Sequence, residues 1–189
     1  MEDQELLAAI GKVVVDAASL EYAVAILVAA IEGHRDQACE DRAVTIVKKS
    51  GAAMRWLKAM TCAQLRGRGE SPQKIALMLT TSETDVREAL KRWDREHPGI
   101  SPATKCDLIY RWHDVKSVMD DRHVIAHSLA MESVEADGLA GLVIFHPSTG
   151  KETQLTTSAV LGHVQDIRIT YRRLHDAIVA QIAPPGDSQ

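Results

Sequence analysis

LIYRWHDVKSVMDDRHVIAHSL, residues 108–129, carries Leu108, Trp112, Val115, Met119, Arg122, Ala126 and Leu129 at alternating steps of four and three. That spacing turns one side of an α-helix toward a core, so a long helix is predicted from about Lys105 to Leu129. Arg122 is the anomaly in the stripe. A guanidinium withdrawn from water is strongly unfavourable unless it meets a carboxylate or an anionic ligand in a cleft between helices.

Within the same stretch, DDRHVIAHS (120–128) places His127 five positions after Arg122. Residues five apart on a helix point about 140° away from each other. His127 therefore falls to the side of the apolar stripe, on a face shared with Asp120 and His123. Histidine is the side chain best suited to move protons near neutral pH. One helix does not easily bring Arg122 and His127 to one atom, whereas two copies packed about a twofold axis supply them in pairs. A homodimer is the expectation.

Working outward, Leu6, Ile10, Val13, Ala17, Leu20, Val24, Leu27 and Ile31 form the packed face of a first helix. A second stripe beside it, Leu7, Gly11, Val14, Ala18, Glu21, Ala25 and Val28, surrounds one carboxylate with small residues that permit close helix approach. Glu21 is the natural partner for Arg122. The run Leu6–Ile31 has the length of a membrane span, but Lys12, Asp16 and Glu21 interrupt it, so a buried helix with no membrane partner is expected. The acidic start MEDQELL lacks the positive charges of a signal peptide and reads as cytoplasmic.

A second helix is expected from about Asp41 to Leu65, with Val44, Val47, Met54, Leu57 and Met60 on one side and Gly51 loosening its middle. RGRGESP (66–72) reads as a linker. Ser71 and Pro72 then open a short helix as N-cap and first helical residue, followed by a polar turn at Thr80–Glu83 and another helix. Residues 71–93 look like a helix-turn-helix, with Ala76 and Val86 at that motif's ten-residue separation and Thr80 where glycine usually turns the chain. Beyond Leu129 the pattern becomes extended around Asp137-Gly138, which predicts a small β-ribbon. A last helix begins near Thr157 or Ser158 and packs through Val160, Leu161, Val164, Ile167, Leu174, Ile178 and Ile182. Pro184 and Pro185 end it, and 184–189 is expected to be a disordered tail.

The 189 residues are 46% hydrophobic and 25% charged, with a net charge of −4. These values fit one globular domain over 1–183 and exclude a globally basic nucleic-acid binder, leaving only local basic patches for phosphates. Cys39, Cys62 and Cys106 are odd in number and widely spaced, which fits neither a disulfide framework nor a zinc cluster.

RHVIAH near the end of a long helix resembles the R-x4-H signature of HEPN domains. The polar His123 after the arginine, the helix order and the SLEYAV segment around Glu21 are similar too. The resemblance covers about residues 4–65 and 105–182, with 66–104 as a helical insertion. It implies an all-α HEPN-like bundle that cleaves RNA without a metal or cofactor at a composite dimer site. In that scheme the RNA 2′-hydroxyl attacks the adjacent phosphate, His127 acts as general acid or base, Arg122 stabilises charge on phosphorus, and His123 assists. The family further implies a toxin or defence effector with a cognate antitoxin.

Other readings use the same residues. The family includes non-catalytic members that bind nucleotides, nucleic acid or proteins. His123 and His127, four apart with Asp120 nearby, have a spacing that can share a cation, yet no H-E-x-x-H glutamate follows His123, and no metal is assigned. A DNA-binding regulator would use 71–93 and contact duplex through Arg87, Lys91 and Arg92. Lys48, Lys49, Arg168 and Arg172 are the basic residues singled out to hold RNA. Aromatic residues amount to 4%, too few for base stacking to dominate.

Overall fold

The apolar face of the first helix is buried along its whole length: Leu6, Ile10, Val13, Ala17, Leu20, Val24, Leu27 and Ile31 are all shielded from solvent in the computed structural model. The structure describes residues 2–49, 51–128, 142–145 and 152–183. Side chains at 126–128 lie outside that description, as do the Asp137-Gly138 segment and the 184–189 tail. The described elements are α1 (Glu2–Ile31), α2 (Asp36–Val47), α3 (Ala52–Gly67), α4 (Pro72–Met78), α5 (Glu83–Glu96), α6 (Leu108–Ser128), β1 (Leu142–Phe145), β2 (Glu152–Leu155) and α7 (Thr157–Ile182). The chain is predominantly helical. The two strands pair antiparallel, with Leu142 opposite Leu155 and Phe145 opposite Glu152.

The chain divides into two compact units, the first comprising Met1–Leu20 and Val115–Tyr171, the second Glu21–Asp114 and Arg172–Gln189. In the first unit the core is drawn from Leu6, Ile10 and Val13 of α1, Val118 and Ile125 of α6, and Val160, Val164 and Ile167 of α7. Thr156 caps α7 by accepting from the Ala159 amide at 3.2 Å. The second stripe expected on α1 is not a packing face here. Leu7 is 57% exposed, Gly11 and Ala18 are also exposed, and only Ala25 and Val28, both in the second unit, are buried. Small residues permit close approach, but they become an interface only where another helix approaches. Leu161 and Ile182 on α7 likewise face solvent rather than the core.

In the second unit α1 ends at a left-handed Gly33 (φ +94°), with the His34 amide donating back to the Ala29 carbonyl at 3.0 Å. The single helix expected over 41–65 is in fact two helices. Gly51 takes φ +64° at the N-cap of α3 and breaks the backbone that apolar periodicity alone carries through, leaving Val44 exposed. The segment 66–104, expected as a helical insertion, contains α4 and α5. Its α5 packs along α3, so that α3, α4 and α5 form a three-helix group around Trp56, Leu57, Met60, Ile75, Leu79, Val86, Leu90 and Trp93. Arg66 of α3 donates through both terminal nitrogens to Asp94 of α5 at 2.8 and 2.7 Å. That arrangement holds the Asp94 carboxyl below its usual range.

A second polar cluster in this unit ties down the end of α1. Glu32, whose side chain is 3% exposed, receives Arg42 at 2.7 and 2.8 Å. His97 stacks on Trp93 with ring centroids 4.0 Å apart. The Trp93 indole donates to the Ile100 carbonyl at 2.6 Å. All three cysteines are free. Cys62 is wholly buried in α3, and burial pushes its thiol up to about 12. By length and composition α1 could cross a membrane, though the face defined by Leu6 through Ile31 is packed against protein.

Candidate functional site

The distal half of α6 carries the motif, and its buried line differs slightly from the expected stripe. Val115 and Val118 precede Arg122, with Ile125 after it, and Val118 takes the shielded place expected of Met119. Arg122 therefore sits between side chains that are 5% and 2% exposed. Its own side chain is half-buried, and its Nε is withdrawn from solvent without a hydrogen-bond partner among the described residues. By contrast, half-buried Arg42 and Arg66 are gripped by the carboxylates of Glu32 and Asp94. A guanidinium left open on an apolar line has spare donors for a planar or tetrahedral anion.

Beside Arg122, Asp121 faces His163 of α7, with the imidazole Nδ1 3.6 Å from the carboxylate Oδ2. This is ion-pair distance without a hydrogen bond, and Nδ1 is itself buried with no hydrogen-bond partner among the described residues. The His163 side chain is still 30% exposed, so its open atoms lie on the remainder of the ring. A histidine with one nitrogen turned toward a carboxylate and another edge toward water is oriented as proton-transfer histidines are. Its two residues sit on different helices, so no local spacing in the sequence marks it.

His123 is exposed on α6. Asp120 is exposed too and forms an i,i+4 ion pair with Lys116. His127 lies within α6, and its side chain is outside the described residues. Glu21, half-buried on α1, belongs to the second unit. Of the basic residues, Arg168 belongs to the first unit and is already engaged, its Nε donating to Asp16 Oδ2 at 2.7 Å. Lys48 and Lys49 follow α2 and, with Arg172, are exposed in the second unit. The four are thus not gathered within one unit. Among the described residues no group of three or more His, Cys, Asp or Glu side chains is placed to hold a metal ion.

Comparison with family models, with curated proteins and with solved structures returned no match.

Proposed function

We propose that the chain is an HEPN-like, metal-independent endoribonuclease acting as a homodimer in the cytoplasm, in the manner of a toxin or defence effector with a cognate antitoxin. The observation that carries the reading is Arg122, a half-buried cation between Val118 and Ile125 whose shielded Nε has no partner among the described residues. In the proposed reaction a general base removes the proton of the RNA 2′-hydroxyl and the oxygen attacks the adjacent phosphorus. The 5′-oxygen leaves with a proton from a general acid, and a 2′,3′-cyclic phosphate remains. Arg122 stabilises the charge that builds on the phosphoryl oxygens, His127 transfers a proton, and His123 assists. Pairing of two motif helices across a twofold would overcome the angular offset between Arg122 and His127. Exposed Leu7 and Val15 on α1 and Leu161 and Ile169 on α7, all in the first unit, are the kind of apolar surface a second copy would cover.

Purified protein incubated with mixed RNA in EDTA is expected to yield cyclic-phosphate ends. His127→Ala should lower the rate about 10²- to 10⁴-fold, the usual contribution of a proton-transfer residue, while the helical circular-dichroism signal is unchanged. Equal cleavage by both proteins, or cleavage by neither, removes the catalytic reading. RNA retention without cleavage would leave a non-catalytic HEPN-like binding module.

A further inference from the structure

The α3–α5 group takes no part in the proposed cleavage, yet its geometry is that of a presented helix. The chain reverses between α4 and α5 at Thr80, which adopts φ +50°. This left-handed conformation is the one the turn of a helix-turn-helix demands, and a β-branched residue enters it only when its surroundings enforce it. Those surroundings come from both flanks. Lys58 of α3 donates to Thr81 Oγ1 at 3.0 Å. The Trp112 indole of α6 donates to the Leu79 carbonyl at 3.4 Å, and His113 Nε2 lies 2.8 Å from the Met78 carbonyl. Ser71 and Ser82 cap the two helices by accepting from the Lys74 and Asp85 amides. Ala76 and Val86, the pair whose separation marked the motif, are both buried, as are Ile75, Leu79 and Leu90.

What α5 turns outward is polar and chemically varied. Thr84, Glu88, Lys91 and Arg95 follow one another at steps of four, three and four on the side opposite Val86, Leu90 and Trp93, with exposed Arg87 beside them. Arg92, named from the sequence as a contact, is half-buried, and Arg95 takes its place on the open face. Glu83 at the helix start is neutralised by Arg87 through a bond from its Nε at 2.8 Å. Lys91 and Arg95 lie in the C-terminal half of the helix, and Thr84, Arg87 and Glu88 occupy its N-terminal half. That polarity suits a helix inserted into the major groove by its first turns. There threonine can meet a thymine methyl, a carboxylate can accept from the cytosine amino group, and Lys91 and Arg95 reach phosphates.

We propose that α3–α5 is a sequence-reading DNA-binding module, with Thr84 and Glu88 of α5 facing base edges in the major groove of a duplex and Arg87, Lys91 and Arg95 holding phosphates. It works independently of Arg122 and His127. Acidic residues near the helix start make it a weak general polyanion binder, so duplexes of particular sequence are its ligand.

The test uses the full chain against a randomised DNA duplex library at low salt, followed by fluorescence anisotropy on the enriched duplex. Wild type should enrich a common sequence, and His127→Ala should enrich the same one, which separates this result from the fate of the nuclease reading. The triple variant Arg87→Ala, Lys91→Ala, Arg95→Ala should bind at least about tenfold more weakly and lose about three from the slope of log affinity against log salt. Thr84→Arg should change the enriched sequence while leaving the thermal unfolding profile in place. If the triple variant loses helical signal, Lys91→Glu alone provides the affinity reading. No enriched sequence, preferential retention of single-stranded RNA over duplex, or undiminished binding by the charge variants would overturn the proposal.

Discussion

Arg66 on α3 and Arg122 on α6 both lie beside buried apolar side chains, and the two regions treat them differently. Arg66 grips Asp94 with both terminal nitrogens, in a group where the starts of α4 and α5 are capped and the turn between them is braced from two sides. Arg122 keeps a shielded Nε with no partner among the described residues. A polar group withdrawn from water without a partner is destabilising, by about 1–3 kcal/mol. The α3–α5 region satisfies its arginine internally, although His97 Nδ1 at the end of α5 is also buried without a partner among the described residues. The Arg122 region keeps a deficit that a ligand or a second copy can supply, which is why the functional reading falls there.

The comparison breaks first at Trp93. It is 1% exposed, stacks on His97 and bonds Ile100, so Trp93→Ala should remove about 3–5 kcal/mol in chemical denaturation. A loss under about 1 kcal/mol would show that α5 is not the fixed element described. Arg122→Met should do the reverse. The RNA cleavage proposed for the chain should fall about 10²- to 10³-fold, as when a charge-stabilising donor is removed, while stability holds or rises because the unmet Nε is gone. Strong destabilisation would make Arg122 a structural residue.

Ser82→Ala, which deletes the cap of α5, should cost about 1 kcal/mol, read as a shift in denaturation midpoint. The smallest effect belongs to Asp94. Its carboxyl is held low by Arg66, so the pair's contribution is present at neutral pH and is lost as pH falls through the depressed folded value, below the usual carboxylate range. Both partners are more than a third exposed, which limits the contribution to about 1 kcal/mol or less. The stability gap between wild type and Asp94→Asn should be flat above about pH 5 and should close on acidification.

These differences also explain what the sequence disclosed. The face of α1 from Leu6 to Ile31 is legible because one periodic rule governs a long element. Ser71, Pro72 and Ser82 mark α4 and α5 because capping is local chemistry. Gly51 misleads because periodicity runs through a break that only the backbone angle reveals. Leu7 and Ala18 mislead because composition states what a face could pack against, not whether anything arrives. Arg122 stands out as a charge on an apolar line, but the Asp121–His163 pair is invisible to spacing, since it exists only once α6 and α7 are side by side in the first unit.

The depth of Cys62 has a practical consequence. Alkylating reagents attack thiolate, and a wholly buried thiol displaced to about 12 offers almost none while α3 stays closed. Its labelling then requires opening of the helix group, whereas half-buried Cys106 can react without it. Timed alkylation read by peptide mass would make Cys62 a built-in clock for unfolding of the α3–α5 region, with Cys106 as the reference that shows the reagent was active.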